Sequence, residues 1–238
     1  LVWTGLVGII DPPRPEVSQA VADCRRAGIR VVMVTGDHRR TAAAISEQVG
    51  ILRPGENGQD APDVLSENDI AELDDDALEE KARRVSVFAR LSPNAKLRIA
   101  RRLQDAGELI GMTGDGVNDA PALKKADVGI AMGQRGTDVA KDAAQVVLSD
   151  DNFASIVNAI REGRIVFKNV KSTSYFLLTT NFASTSTLIA ALLLGMPIPL
   201  TAVQILWVNM VTDGIMDVAK ATEPGHGGMM DRPPIKKD

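Results

Sequence analysis

Residues 112–133 read MTGDGVNDAPALKKADVGIAMG, and the reading of this stretch decides the fold. The apolar run Leu109, Ile110, Gly111 and Met112 predicts a short interior strand, and Gly114 and Gly116 let the backbone turn sharply at its carboxyl end. Open α/β sheets bind ligands there. Asp115 falls in the turn, with Asn118 and Asp119 following, and a helix starting near Asn118 would aim free amides and the positive end of its dipole into the crevice. Hard oxygen donors at this spacing suit Mg2+, which takes one or two carboxylates and completes its shell with water and phosphate oxygens. A Gly/Asp surface turn with Asn118 as an ordinary helix cap is the other reading of the bare GDGxND pattern, and the surrounding residues tell against it.

Upstream and downstream of this stretch, helical and strand patterns alternate. Strands are expected at Leu6–Ile10, Ile29–Val34, Val85–Ala89, Leu109–Met112, Val128–Ala131 and Val146–Leu148. Helices are expected at Pro15–Ala27, with proline near the start and Gly28 after the end, then from beyond Asp37 to Val49, at Pro93–Ala106 and at Ala120–Ala126. That order predicts an α/β domain over residues 1–150 with a parallel, doubly wound, Rossmann-type sheet. Residues 67–80 hold eight acids with Ile70, Leu73 and Leu78 among them, and read as an amphipathic, solvated helix or connecting segment. Thr35, near a strand end, offers a hydroxyl and a backbone amide to a phosphate. Lys96, near a helix start, offers a fixed positive charge, and Asp115 offers a metal ligand. Together the three describe a phosphoryl-transfer crevice, in which positioning and charge neutralisation do most of the catalysis.

The remainder of the chain has another solvent. Of its 238 residues, the 48 from Ser172 to Ala219 contain no Lys or Arg, and their only acids are Asp213 and Asp217. Residues 152–171 predict a helix with no breaker before the apolar run at Tyr175, so a helical stalk (151–174) leads into a transmembrane helix (175–195). Gly195, Pro197 and Pro199 break it, and a second span (200–220) precedes a tail or loop (221–238). Basic residues before the first span and after the second place both ends in the cytoplasm. Asn209, Thr212, Asp213 and Asp217 share one helix face, and Asn181, Ser184 and Thr185 form a stripe on the first span. Facing each other, they would make an oxygen-rich cage for a cation, and Asp213 is costly at bilayer depth unless it serves one. Small hydroxyl residues such as Ser184 also serve close helix packing.

Composition adds limits. A net charge of −4, without a basic stripe interleaved with aromatics, gives no reason to expect nucleic acid. The single Cys24 cannot form an internal disulfide, and its helical spacing with Val17, Ala20 and Val21 reads as a small reduced core residue. The first thirteen residues lack a basic leader and a cleavage site, and resemble a strand entered mid-domain rather than a signal peptide.

The segments DPPR (11–14), TGD (35–37), FARLSPNAK (88–96) and TGDGVNDAPALKKADVGIAMG (113–133) resemble the phosphorylation domain of P-type cation-transporting ATPases, which have the haloacid-dehalogenase-like fold. The resemblance implies that Thr35 and Lys96 contact an aspartyl phosphate, that Asp115 ligates Mg2+, and that Asn118 and Asp119 complete the phosphate site beside it. It places Asp11 and Asp37, with Gly36, on the nucleotide and hinge side, and implies ATP and Mg2+ as cofactors. WVNMVTDG (207–214) resembles the sixth membrane helix of calcium-type pumps, where Asn209, Thr212 and Asp213 would be ion ligands, and Asn181 matches the fifth-helix asparagine. Two-site calcium pumps carry glutamate where Ser184 stands. Asp217 and Lys220 also depart from the pattern: Asp217 is a further ligand, a proton-coupled carboxylate or the partner of Lys220. The DKTGT motif that holds the family's nucleophile does not occur, nor does TGES. The expectation is therefore a fragment of a multi-pass pump of the cell membrane, inactive alone. Its partners would be the actuator and nucleotide-binding domains, other membrane helices, the bilayer and the transported cation. Ca2+ ranks first as that cation, ahead of Mn2+, Na+, K+ or H+. A soluble phosphatase of the same fold would share GDGxND and the lysine but would give no role to the uncharged stretch.

Overall fold

The computed structural model describes residues 4–5, 12–52 and 64–235, excepting the side chains of Thr212 and Asp213. The strand expected at Leu6–Ile10, and Asp11 after it, lie outside the described residues. The chain divides into two compact units, one reaching to Val157 and including the residues from Met230 on, the other Asn158–Met229.

In the first unit the elements run α1 (Pro15–Arg26), β1 (Met33–Val34), α2 (Arg39–Gln48), β2 (Val64–Ser66), α3 (Glu67–Ala71), α4 (Asp75–Arg84), β3 (Val87–Ala89) and α5 (Pro93–Asp105). They continue with β4 (Gly111–Gly114), a 3-10 turn (Val117–Asp119), α6 (Ala120–Lys125), β5 (Val128–Met132), α7 (Asp138–Ala143) and β6 (Val146–Leu148). Among the described residues the strands form two three-stranded sheets, ordered β1-β3-β2 and β4-β5-β6. Every pairing is parallel, with Met33 opposite Val87 and Gly111 opposite Val128.

The first sheet is covered on both faces, which is why its central strand is apolar throughout. Phe88 packs with Ile70, Leu78, Ile99 and Leu103 from α3, α4 and α5. Its neighbours Val87 and Ala89 face Val21, Ala42 and Val49 from α1, α2 and the residue after it. Phe88 is fully buried, so truncating it to alanine costs on the order of 3–5 kcal/mol. The acidic run is two short helices. Asp69 accepts from Ser66 N to cap α3, and Asp74 accepts from Ala77 N at 2.8 Å to cap α4. Its acids are largely solvated, while Ile70 and Leu78 belong to the core.

In the second sheet, β4 begins two residues later than its apolar run predicts. The Ile110 amide donates to the Asp127 carboxylate at 2.9 Å, so ladder pairing starts only at Gly111. Helix α7 was not anticipated from the pattern. Thr137 caps it by accepting from Ala140 N, and Ala140 packs with Leu123 and Ala131. Gly129 sits where any Cβ would meet the Leu123 carbonyl, so the end of α6 lies directly on β5.

The division between units falls within α8 (Phe153–Leu193), a helix of 41 residues and roughly 60 Å. It is long and apolar enough to cross a membrane. Gly195, with φ +66°, ends it, and Thr201 starts the next helical run through a capping box with Gln204. That run comprises α9 (Ala202–Asn209), a π-helical segment (Met210–Met216) and α10 (Asp217–Ala221). The buried Asn169 of α8 donates to the carbonyls of Ala221 and Glu223, satisfying two groups at the end of α10.

Candidate phosphate and metal site

The turn between β4 and α6 is organised around Asp119. Its Oδ1 accepts from Lys96 Nζ at 2.8 Å, with the side chains only 16% and 13% exposed. Its Oδ2 accepts from the Gly116 amide at 3.2 Å. Charge-assisted bonds to both oxygens fix this carboxylate, and through it the lysine. Gly114 is required by the same packing, because a Cβ there would stand 2.5 Å from Asp119 Cβ. The backbone of the turn is tied down from the other side, where Thr137 N donates to Asp115 O at 2.9 Å. The loop leading to Thr137 is held by Asp151, which accepts from Gln134 N and Arg135 N. Chiefly through the Gln134 amide, these contacts hold the Asp151 carboxyl below the usual range.

Lys96 lies in the first turns of α5, whose N-cap is Ser92, the residue following the loop after β3. That loop is bonded to the loop after β1: Arg90 N donates to Asp37 O at 3.0 Å, and Leu91 N to Thr35 O at 3.2 Å. The loops after β1 and β3 therefore meet at the carboxyl edge of the first sheet, and α5 carries Lys96 from there to the turn after β4.

Four of the expected groups are thus joined in two pairs, Thr35 with Asp37 and Lys96 with Asp119. The Thr35 hydroxyl donates to Asp37 Oδ2 at 2.9 Å and accepts from Asp37 N, making a closed local turn. The Thr35 amide, expected to serve a phosphate, instead donates to Phe88 O at 2.9 Å in the continuation of the sheet. Gly36, Asp37, Asp115 and Asn118 are exposed. The helix expected to start near Asn118 opens as a 3-10 turn at Val117–Asp119 and continues as the six-residue α6 from Ala120.

The donor set fits Mg2+ in a particular way. Asp115 offers one exposed hard carboxylate, while Asp119 is engaged by Lys96 and Gly116. Among the described residues no group of three or more His, Cys, Asp or Glu gathers. A magnesium ion held here would take one or two carboxylates from this turn and fill its other positions with water and phosphate oxygens.

The groups expected to form a cation cage are arranged less tightly. Asn181 is exposed, and the Ser184 hydroxyl bonds back to Thr180 O at 2.9 Å within its own helix. Asn209 is half-buried, and Asp213 and Thr212 fall in the π-helical segment with side chains outside the described set. Asp217 Oδ1 is buried without a hydrogen-bond partner, as is Thr173 Oγ1 on α8. The Lys220 ammonium stands 5.0 Å from the centre of the Phe176 ring.

Of the residues that hold the turn, Gly114 was read from sequence as a turn glycine, whereas Gly136 and Thr137 were not singled out. The small residues in GQRGTDVA were the available signal, since Gly136 leaves no room for a Cβ beside Met132 O and Thr137 is a helix cap.

Comparison with known proteins agrees with this arrangement. Residues 3–127 match the haloacid dehalogenase-like hydrolase family, and residues 197–238 match the C-terminal region of cation transporting ATPases. The chain is 47% identical to calcium-transporting ATPase 1 of Bacillus cereus and to the calcium-transporting ATPase of Bacillus subtilis, over 98% of its own length and 26% of theirs. It is 47% identical to the probable cation-transporting ATPase F of Mycobacterium tuberculosis over its full length and 26% of that protein. The chain thus spans about a quarter of the curated relatives it matches. The crystal structure of a zinc-transporting PIB-type ATPase in an E2.Pi state superposes with a TM-score of 0.59 at 26% identity, covering 89% of this chain and 28% of that one. The chain belongs to the haloacid dehalogenase-like hydrolases and, within them, to the P-type cation-transporting ATPases.

Proposed function

We propose that the chain is part of an ATP-driven pump in which Mg2+-dependent formation and hydrolysis of an aspartyl phosphate drive transport of Ca2+. The observation that carries this reading is the half-buried pair that Lys96 of α5 makes with Asp119 of TGDGVND, in a chain 47% identical across 98% of its length to proteins named calcium-transporting ATPases. The nucleophilic aspartate, the nucleotide-binding and actuator domains and the remaining membrane helices belong to other parts of the protein, so these 238 residues do not hydrolyse ATP alone.

In this reading Lys96 supplies a fixed positive charge to the phosphoryl group, and Asp119 keeps its ammonium in place. Thr35 turns its hydroxyl from Asp37 to a phosphate oxygen, with Gly36 leaving the approach open. Asp37 and Asp11 serve the nucleotide and hinge side. Asp115 holds Mg2+, which neutralises developing phosphate charge, and Asn118 lines the same turn. Residues 151–174 form a cytoplasmic stalk and 175–195 and 200–220 cross the membrane, with the phosphorylation domain in the cytoplasm. The unbroken helicity of α8 supports a stiff link between phosphoryl chemistry and an ion site made by Asn181, Asn209, Thr212 and Asp213, with Asp217 beside it.

Ser184 and Asp217 favour a second reading with the same chemistry and another cation, Mn2+ before Na+, K+ or H+. The test is phosphate incorporation from ATP into membranes carrying the full-length pump, with each cation supplied separately. An acid-stable phosphoenzyme that requires Ca2+ supports the first reading, and one that requires another cation supports the second. Absence of phosphoenzyme under every condition refutes both.

A further inference from the structure

Glu67 opens the acidic run that reads as a solvated face, yet its carboxylate is committed to the helix that carries Lys96. Glu67 Oε2 accepts from Ser92 N at 2.8 Å, and Oε1 accepts from Ser92 Oγ at 2.5 Å. Ser92 is the N-cap of α5: its hydroxyl accepts from Ala95 N at 3.3 Å, and its carbonyl accepts from Lys96 N at 3.1 Å. Both donors of the cap residue therefore go to one carboxylate, and both its acceptors go to the first turn of the helix.

The fold explains how Glu67 reaches it. Ser66 pairs with Ala89 across β2 and β3, so Glu67 leaves the edge of the sheet beside the chain that runs from Ala89 to Ser92. A carboxylate at a helix start is also favoured by the dipole. Of the other acids in the run, Asp75 braces α5 farther along, where it accepts from Arg98 and pairs with Arg102. Only Glu67 acts on the turn that sets the height and rotation of Lys96. The second anchor of that lysine is Asp119, at the far end of its side chain.

We propose that Glu67 is a positioning residue for the phosphoryl-transfer lysine: it fixes Ser92, Ser92 fixes the first turn of α5, and that turn sets where Lys96 meets Asp119 and the phosphate. This rests on the proposed role of Lys96. The consequence is kinetic, because misplacing a charge-neutralising group weakens the transition state more than the folded domain.

The experiment uses full-length pump in membrane vesicles, comparing wild type with Glu67→Ala, Glu67→Gln and Asp75→Asn. Rates of phosphoenzyme formation from ATP, the cation concentration for half-maximal phosphorylation and thermal inactivation are measured for each. Glu67→Ala is expected to slow phosphorylation about tenfold, with half-maximal cation and thermal midpoint unchanged. Glu67→Gln is expected to restore most of the rate, since its amide oxygen accepts from Ser92 N and its amide N–H donates to Ser92 Oγ. Asp75→Asn should phosphorylate at the wild-type rate. A wild-type rate for Glu67→Ala, failure of Gln to rescue, or equal slowing by Asp75→Asn overturns the positioning role. A wild type that forms no phosphoenzyme overturns instead the reading on which the role rests.

Discussion

The turn after β4 and the helical run after Gly195 both carry carboxylates and amides in glycine-containing sequence, yet they hold them differently. In the turn, both oxygens of Asp119 are used, by Lys96 and by the Gly116 amide, and the backbone is pinned through Thr137. In the helical run, Asp217 Oδ1 is buried without a partner and Lys220 rests over an aromatic ring. A buried oxygen left unpaired costs about 1–3 kcal/mol. The difference teaches that Lys96 and Asp119 are set in place by neighbours within one α/β unit. The polar groups of the helical run fit a role completed by a cation or by further helices.

The largest break in that contrast comes from removing the lysine. Lys96→Ala in the full-length pump is expected to lower phosphoenzyme formation about a hundredfold or more, while leaving the protein folded. Steady-state labelling from ATP checks it, and near-normal labelling would show that the pair is structural. A smaller effect comes from crowding the turn. Gly114→Ala forces Asp119 away and is expected to cost about 1–3 kcal/mol, read as a lower thermal-inactivation midpoint together with slower phosphorylation. An unchanged midpoint would mean that the turn is looser than its contacts describe.

The smallest effect sharpens the contrast through pH. The Ser66 amide first, then the Ser66 hydroxyl, holds the Asp69 carboxyl below its usual range. A carboxylate depressed in the folded state stabilises at every pH above its unfolded value, and that contribution disappears as pH falls through the folded value. The Asp69 side chain is 38% exposed, so solvent screening keeps the effect small. Wild type should therefore lose stability more steeply than Asp69→Asn as pH drops below the ordinary carboxylate range. Parallel acid-unfolding curves would remove Asp69 from the account.

The parts legible in sequence were those whose signal is local. Proline and glycine marked both ends of α1, and the β-branched run Val146–Leu148 appeared as a strand with the bounds read from the pattern. The parallel pairing of the strands followed from alternation, although among the described residues they form two sheets where one was expected. Strand β2 escaped because its three residues sit in polar sequence, and their strand character comes from pairing with β3. The π-helical segment escaped because MVTDGIM has the same apolar pattern as an α-helix, and only backbone geometry separates the two. In the site, glycines and acids disclosed the turn. The capture of Ser92 by Glu67, 25 residues away, leaves no mark in a single sequence.

The central claim is that the phosphoryl turn and the helical run serve one pump. The most direct measurement is cation-dependent phosphorylation of an Asp213→Asn variant of the full-length protein, from ATP and separately from inorganic phosphate. Loss of cation-activated labelling by ATP, with labelling from inorganic phosphate retained, is the predicted result. Labelling by ATP with unchanged cation dependence would contradict it.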